Sequence, residues 1–199
     1  MQISSFSRSR SRTQTLKSLC CAALIFIAPA GCKRNSINDG VPMTITLEST
    51  AFHQGEDIPR QFTCSGANTS PALSWGALPP NTKTLTLLVI DLDSPLRPYT
   101  HWILYNLPPQ PNTLPEAIPR TESLPNGAKQ GTNSDPQIGY SGPCPPGDSP
   151  HRYVFTLYAL DTTLTLPTTP DTAPDKAQLT KAMQGHILAA GQLAGHFHR

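Results

Sequence analysis

Three long runs of β-forming residues, each bounded by proline-rich sequence, most constrain what this chain can fold into. They are TLTLLVIDLD (84–93), HWILYNLP (101–108) and HRYVFTLYAL (151–160), and MTITLEST (43–50) adds a strand that alternates apolar and polar residues. β-Branched and aromatic residues favour strands, and the nearly continuous apolar centres indicate strands inside a sheet. The 22 prolines lie between the apolar runs and not in one tract. Short strands joined by stiff loops are therefore expected, and disorder is not.

One helix is predicted, in the C-terminal stretch DTAPDKAQLTKAMQGHILAAGQLAG. Asp171 or Thr172 would cap its start, and Pro174 suits its first turn. Gly191 or Gly195 would end it. Its apolar residues recur three or four apart, at Leu179, Met183, Ile187 and Ala190. The pattern as a whole predicts a mainly β fold, an antiparallel β-sandwich with a C-terminal α-helix.

The N-terminus has the features of a secretory signal: a basic start, an apolar run of a dozen residues, and small residues at its end. The apolar run is shorter than the roughly 20 residues that a membrane helix needs. Its ending resembles a bacterial lipoprotein signal, in which Cys32 is lipidated, although Pro29 stands where such signals usually have leucine. Ordinary cleavage nearby is the alternative. We therefore expect a signal peptide over residues 1–32, a polar tether over 33–42, a domain over 43–199, and a periplasmic or cell-envelope location.

The charge and the cysteine content of the predicted mature chain are counted after Cys32. Four of the 15 basic residues and none of the 13 acidic ones precede Cys32, so the remaining 11 and 13 leave a net charge of −2. Without a basic cluster, nucleic acid is not expected as a partner. Cys64 and Cys144 are the cysteines that remain, and in an exported chain they are expected to pair, the alternative being two buried thiols. No zinc-type cysteine and histidine spacing occurs, and neither a metal nor a cofactor is expected.

Polar residues at the ends of the three strong strands mark a candidate site. Alternation predicts three sets of side chains that share a face: His101 with Ile103 and Tyr105, His151 with Tyr153 and Phe155, and Asp91 with Asp93. Each polar member lies against a proline-containing loop, where a rigid sandwich presents its sites.

The spacing alone leaves three interpretations open. A carboxylate could orient an imidazole, so that histidine, tyrosine and loop N–H groups bind an anion. Alternatively, His101, His151 and Asp91 could hold a metal ion. In the third interpretation each histidine only caps a strand or bonds a carbonyl group.

The motifs DLDSP, HWILYNLP and GPCPP…HRYVFTLYALD, with TSPALSW and GHILA, resemble the phosphatidylethanolamine-binding protein family, in particular its bacterial Raf-kinase-inhibitor-like branch. The resemblance runs from about Met43 to Arg199. It implies an antiparallel β-sandwich with a small anion pocket, and it makes Ser94–Pro95 and one of the bonds in PCPP candidates for cis peptide bonds. Leu92 replaces a usual proline, and Tyr99 stands where an aromatic wall is common. The ligand-binding residues that it implies are Asp91, Asp93, Pro95, Tyr99, His101, Gly142, Pro143, Pro145, His151 and Tyr153.

The function predicted from the sequence is non-enzymatic. It is an exported, lipid-anchored protein that binds a small anionic or phosphorylated ligand and reaches the membrane through its N-terminal lipid. An inhibitor or interaction module for an extracytoplasmic protein, such as a protease, is the alternative. A metal-dependent hydrolase is the third candidate.

Overall fold

A computed structural model describes residues 37–95, 98–166 and 173–199 of the chain. Several predictions lie outside these ranges: the signal peptide, lipidation at Cys32, the first part of the tether, and the helix caps Asp171 and Thr172.

The described residues form two antiparallel sheets and one α-helix. The strands are β1 (Leu47–Glu48), β2 (Leu73–Trp75), β3 (Thr84–Asp91), β4 (Tyr99–Leu107), β5 (Thr113–Leu114), β6 (Lys129–Gln130), β7 (His151–Leu160) and β8 (Ile187–Phe197). The helix α1 is Lys176–Met183, and a 3-10 turn spans Arg60–Phe62. The small sheet has the order β1-β2-β5 and the large sheet the order β6-β4-β3-β7-β8. This arrangement confirms the predicted β-sandwich with a single helix.

Apolar side chains cover both faces of the large sheet, which explains why its central strands have nearly continuous apolar sequences. The inner face packs against the small sheet, with Trp102 and Phe155 in the same buried cluster as Trp75. On the outer face, residues such as Ile103 and Leu88 belong to a second cluster that α1 completes. That cluster includes the fully buried Leu179 and Met183. Burial of this kind contributes roughly 25 cal/mol for each Å² of apolar surface removed from water.

The predicted C-terminal helix is correct only in its first half. The helix α1 starts after Asp175, whose side chain forms a capping box with Gln178, and it ends at Met183. The remainder of the segment is β8, which pairs with β7 along its whole length. Gly191 and Gly195 therefore lie inside a strand and do not end a helix. A Cβ at Gly191 would collide with the backbone of residue 45, and one at Gly195 with the side chains of residues 52 and 58, so close packing is the reason for both glycines.

Residues 37–42, the described part of the predicted tether, lie against the outer face of the large sheet. The hydroxyl of Tyr158 donates to Oδ1 of Asn38 at 2.8 Å. The N–H of Ala190 donates to the carbonyl of Pro42 at 2.9 Å, and Val41 packs on the outer cluster.

Two β-bulges in β4 decide where its polar residues point. Val89 pairs with Trp102, but the next residue of β3, Ile90, pairs with Thr100, so His101 is an extra residue in β4. A bulge re-aims side chains in this way. The prediction that His101 shares a face with Ile103 and Tyr105 is therefore wrong.

The second bulge lies at the other end of β4. Leu85 pairs with Leu107 and Leu87 with Leu104, which leaves one extra residue in β4. Asn106 there has a φ of 55°, in the left-handed region that asparagine tolerates better than most residues.

Candidate ligand-binding site

The site begins with a buried pair at the ends of β3 and β7. Nδ1 of His151 lies 2.7 Å from Oδ2 of Asp91, and both side chains are buried. The other carboxylate oxygen, Oδ1, accepts the N–H of Asp93 at 2.9 Å. Because both oxygens of Asp91 accept hydrogen bonds, the carboxylate is fixed in place and holds the imidazole ring of His151 in one orientation.

His101 is held by a backbone carbonyl and not by an acid. Its Nδ1 donates to the carbonyl oxygen of Ser141 at 2.7 Å, and the N–H of Ser141 donates to the carbonyl of His101 at 3.0 Å. Burial lowers the pKa of His101, although the carbonyl of Ser141 acts in the opposite direction. The ring is therefore neutral near pH 7 with the proton on Nδ1. The other ring nitrogen, Nε2, carries no proton and can accept a hydrogen bond.

Two tyrosines flank the ring of His101. Tyr153 meets it nearly edge-on with centroids 5.1 Å apart, and Tyr99 lies at 4.8 Å with a tilt of 47°. The Tyr153 hydroxyl is buried and lies near the carboxylate of Asp91 and the backbone of Cys144. Burial raises the pKa of Tyr153, and the negative charge of Asp91 adds to the rise. Burial and then Asp135 raise the pKa of Tyr99 to about 12. Both phenols are protonated at neutral pH and can donate.

A cavity of about 570 Å³ opens beside these side chains. Five of the ten predicted ligand-binding residues line it: Asp91, Pro95, Tyr99, His101 and Gly142. The other five are not among its lining residues: Asp93, Pro143, Pro145, His151 and Tyr153.

Two of these five form a layer behind the cavity wall. His151 braces Asp91, and Tyr153 packs on His101. Asp93 lies outside the cavity, where its carboxylate accepts the N–H of Arg152 at 2.8 Å.

The sequence reasoning missed several lining residues that lie on loops, namely Asn68, Arg120, Asp135 and Gln137. Arg120 supplies a guanidinium group, which also donates to the carbonyl of Asn68 at 3.1 Å. Asp135 and Gln137 are held in a tight loop in which Oδ1 of Asn133 accepts both of their N–H groups. Strand alternation cannot detect such residues, because no periodic pattern runs through these loops.

The proline-rich loop 142–146 (GPCPP), which forms one rim of the cavity, is tied to the segment around Cys64. The structure pairs Cys64 with Cys144 in a disulfide, with their Cα atoms 5.4 Å apart. Beside it, the N–H of Gly142 donates to Oδ1 of Asn68 at 2.7 Å, and the N–H of Cys64 to the carbonyl of Pro143 at 3.1 Å. The amide of Gly142 is therefore used to hold the rim.

Neither candidate for a cis peptide bond is cis in the structure. The cis peptide bond among the described residues is Gln110–Pro111, and not Ser94–Pro95 or a bond within PCPP.

A metal at this site finds no support in the side-chain geometry. Nδ1 of His101 and Nδ1 of His151 are both committed to protein acceptors. Within the ranges 37–95, 98–166 and 173–199, no three histidine, cysteine or acidic side chains are grouped to hold an ion.

In the same part of the chain, no helix has the length and apolar character required to cross a membrane.

An antiparallel β-sandwich with a loop-walled cavity at the end of its central strands is the fold of a binding protein. Residues 48–198 match the sequence pattern of the phosphatidylethanolamine-binding protein family. A UPF0098 protein of Methanothermobacter thermautotrophicus is 41% identical over 155 residues, which cover 78% of this chain and 99% of the relative. Another UPF0098 protein, from Pyrococcus horikoshii, is 38% identical over 180 residues, 89% and 86% of the two chains.

Solved structures agree with this match. A phosphatidylethanolamine-binding protein homologue from Chlamydia trachomatis has a TM-score of 0.68 at 39% identity and covers 78% of this chain and 97% of its own. The Escherichia coli protein YBCL, a member of the same family, has a TM-score of 0.71 at 30% identity and covers 78% and 98%. The chain belongs to the phosphatidylethanolamine-binding protein family.

Proposed function

We propose that this protein is a non-enzymatic binding protein that takes a small anionic or phosphorylated ligand in the cavity beside His101. The observation that carries the proposal is the convergence of Arg120, Tyr99 and His101 on one cavity of about 570 Å³. Cavities that bind small molecules commonly measure about 300–1,000 Å³.

The chemistry of these groups suits an anion. Guanidinium groups bind phosphate oxygens with paired, charge-assisted hydrogen bonds. A neutral His101 would gain a proton as an anion enters, because the negative charge opposes the effect of burial on its pKa. The carboxylate of Asp135 on the same cavity would suit an amine at the other end of the ligand. The name of the family suggests phosphoethanolamine as a first probe for such a group.

Titration of the purified protein with phosphoethanolamine, followed by NMR of the histidine side chains, tests the proposal. We expect saturable shifts at His101 and a ligand affinity that falls about tenfold in R120Q. The matched control is R152Q, which removes an exposed guanidinium beside Asp93. No shift at His101 with millimolar ligand, or equal affinity in R120Q and R152Q, would contradict it.

The proposal includes export and N-terminal lipidation at Cys32, which the basic and apolar leader supports. Mass spectrometry of the N-terminal peptide from membrane fractions would detect the lipid on Cys32. An unmodified N-terminus at another residue would refute the lipid anchor without affecting the cavity.

A further inference from the structure

A second cavity lies at the opposite end of the same two central strands. It measures about 520 Å³, and it adjoins Thr84 at the start of β3 and Asn106 near the end of β4. Tyr99, which lines the first cavity, and Asn106 are seven residues apart in one strand. At about 3.3 Å per residue they are roughly 23 Å apart, so the two cavities are separate.

The charged residues that line this second cavity are basic. Among the described lining residues, Lys83 and Lys129 carry a positive charge and none is acidic, and the nearby acid is Glu122, whose charge acts on Tyr105 from outside the lining. Lys129 pairs directly with Tyr105 across the β6–β4 ladder, so the two side chains lie on the same face. Lys83 precedes β3 and is fixed by its N–H, which donates to the carbonyl of Leu160 at 2.8 Å.

Tyr105 also lines this cavity and is 1% exposed. Its hydroxyl is buried and has no hydrogen-bond partner among the described residues. A buried tyrosine hydroxyl usually has a partner, and a phenylalanine would serve equally well for packing alone. Burial, and then the negative charge of Glu122, raise the pKa of Tyr105, so its hydroxyl is protonated at neutral pH and can donate a hydrogen bond.

Two residues of the cavity wall, Asn106 and Thr84, are held in place before any ligand arrives. The side-chain amide of Asn106 donates to the carbonyl of Leu164 at 2.9 Å and accepts its N–H at 2.9 Å. The hydroxyl of Thr84 donates to the carbonyl of Thr162 at 2.6 Å. Asn106 also lies in the second bulge of β4, just as the bulge residue His101 adjoins the first cavity. Bulges are over-represented beside functional sites.

We propose that the cavity bounded by Lys83, Tyr105 and Lys129 is a second binding site, for a small multivalent oxyanion such as pyrophosphate. The two ammonium groups would neutralise the anion. The Tyr105 hydroxyl, which is buried in the absence of a ligand, would donate to one of its oxygens after a small movement of the cavity wall. The site is independent of the first cavity and of the function proposed for it.

The test is a titration of the purified protein with pyrophosphate at constant ionic strength, followed by amide NMR and calorimetry. We expect saturable shifts at the amides of Asn106, Gly127 and Lys129. Affinity at this site should fall at least about tenfold in K83Q/K129Q and about threefold in Y105F, since charge-assisted hydrogen bonds are lost in both.

Two control variants separate this site from general electrostatics and from the first cavity. K176Q/K181Q removes the same charge from another cavity of the protein and should leave the shifts unchanged. H101Q should remove binding at the first cavity only. The absence of saturable shifts around Lys129, or full affinity in K83Q/K129Q or in Y105F, would overturn the proposal, whatever the outcome at His101.

Discussion

Nδ1 of His151 and Oδ2 of Asp91 lie 2.7 Å apart in the interior, although 60 residues separate them in the chain. The contact joins the ends of β3 and β7 behind the candidate binding cavity. It fixes one of the lining carboxylates, and it gives the site a rigid back wall.

Breaking the buried Asp91–His151 pair should lower the free energy of unfolding more than breaking an exposed pair of the same geometry. Asp91→Asn removes the charge that faces His151 and should lower the free energy of unfolding by about 1–3 kcal/mol. Urea unfolding at neutral pH measures the effect. The matched control is Asp161→Asn, whose partner His186 lies at 2.8 Å but in solvent, and it should cost no more than about 0.5 kcal/mol. Equal losses in the two variants would show that burial does not distinguish the pairs.

The lowered pKa of His101 predicts a pH dependence of stability. The unfolded chain binds a proton at this residue near its ordinary pKa of about 6.5, whereas the folded protein does so only at lower pH. Stability that depends on the neutral ring is therefore complete above about pH 6.5 and is lost as the pH falls toward the folded-state value. NMR titration of the His101 ring should give a midpoint below 6.5, and H101Q should show a smaller loss of stability between pH 7 and 5. A midpoint above the ordinary value would contradict the burial argument.

The disulfide should stabilise the fold through the length of chain that it closes. Cys64 and Cys144 are 80 residues apart, and closing a loop of this size contributes roughly 4 kcal/mol in the chain-entropy model. C64S/C144S should unfold at a correspondingly lower urea concentration. A reductant should destabilise the wild-type protein and leave the variant unchanged. A reductant effect of equal size in both would show that it does not act through this bond.

Gly142 should be intolerant of any side chain. A Cβ at this position would collide with the carbonyl of Phe62 and with Oδ1 of Asn68. Gly142→Ala should therefore cost about 1–3 kcal/mol through overpacking and should displace the rim of the cavity. Thermal unfolding measures the loss of stability, and ligand affinity reports the displacement of the rim. Gly76→Ala is the control, because a Cβ there would make only an ordinary contact with Thr46. A stable Gly142→Ala protein with unchanged affinity would refute this prediction.

Local sequence predicted the large sheet well. The runs at β3, β4 and β7 are long and apolar, and each could be buried on both faces only as an inner strand. Alternation also placed His151 and Tyr153 on one face. The β3–β7 ladder then places Asp91 directly opposite Tyr153, which alternation within one strand does not predict.

Local sequence failed where packing between distant segments overrides it. The segment after Met183 has a helical spacing of apolar residues, yet it forms β8 because β7 offers an unpaired edge and because Gly191 and Gly195 permit close packing there. His101 faces Tyr153 only because a bulge inserts it into β4.

The sequence by itself therefore determined the three long inner strands, the family motifs and the polar residues at the ends of those strands, because these depend on side-chain type and on a period of two. The tertiary structure alone decided which of those residues line the cavity. It brought Arg120 and Asp135 to the cavity from separate loops, and it set the orientation of His101 through a bulge. The physical reason is that loop contacts and strand register depend on partners remote in the chain, which no local pattern specifies.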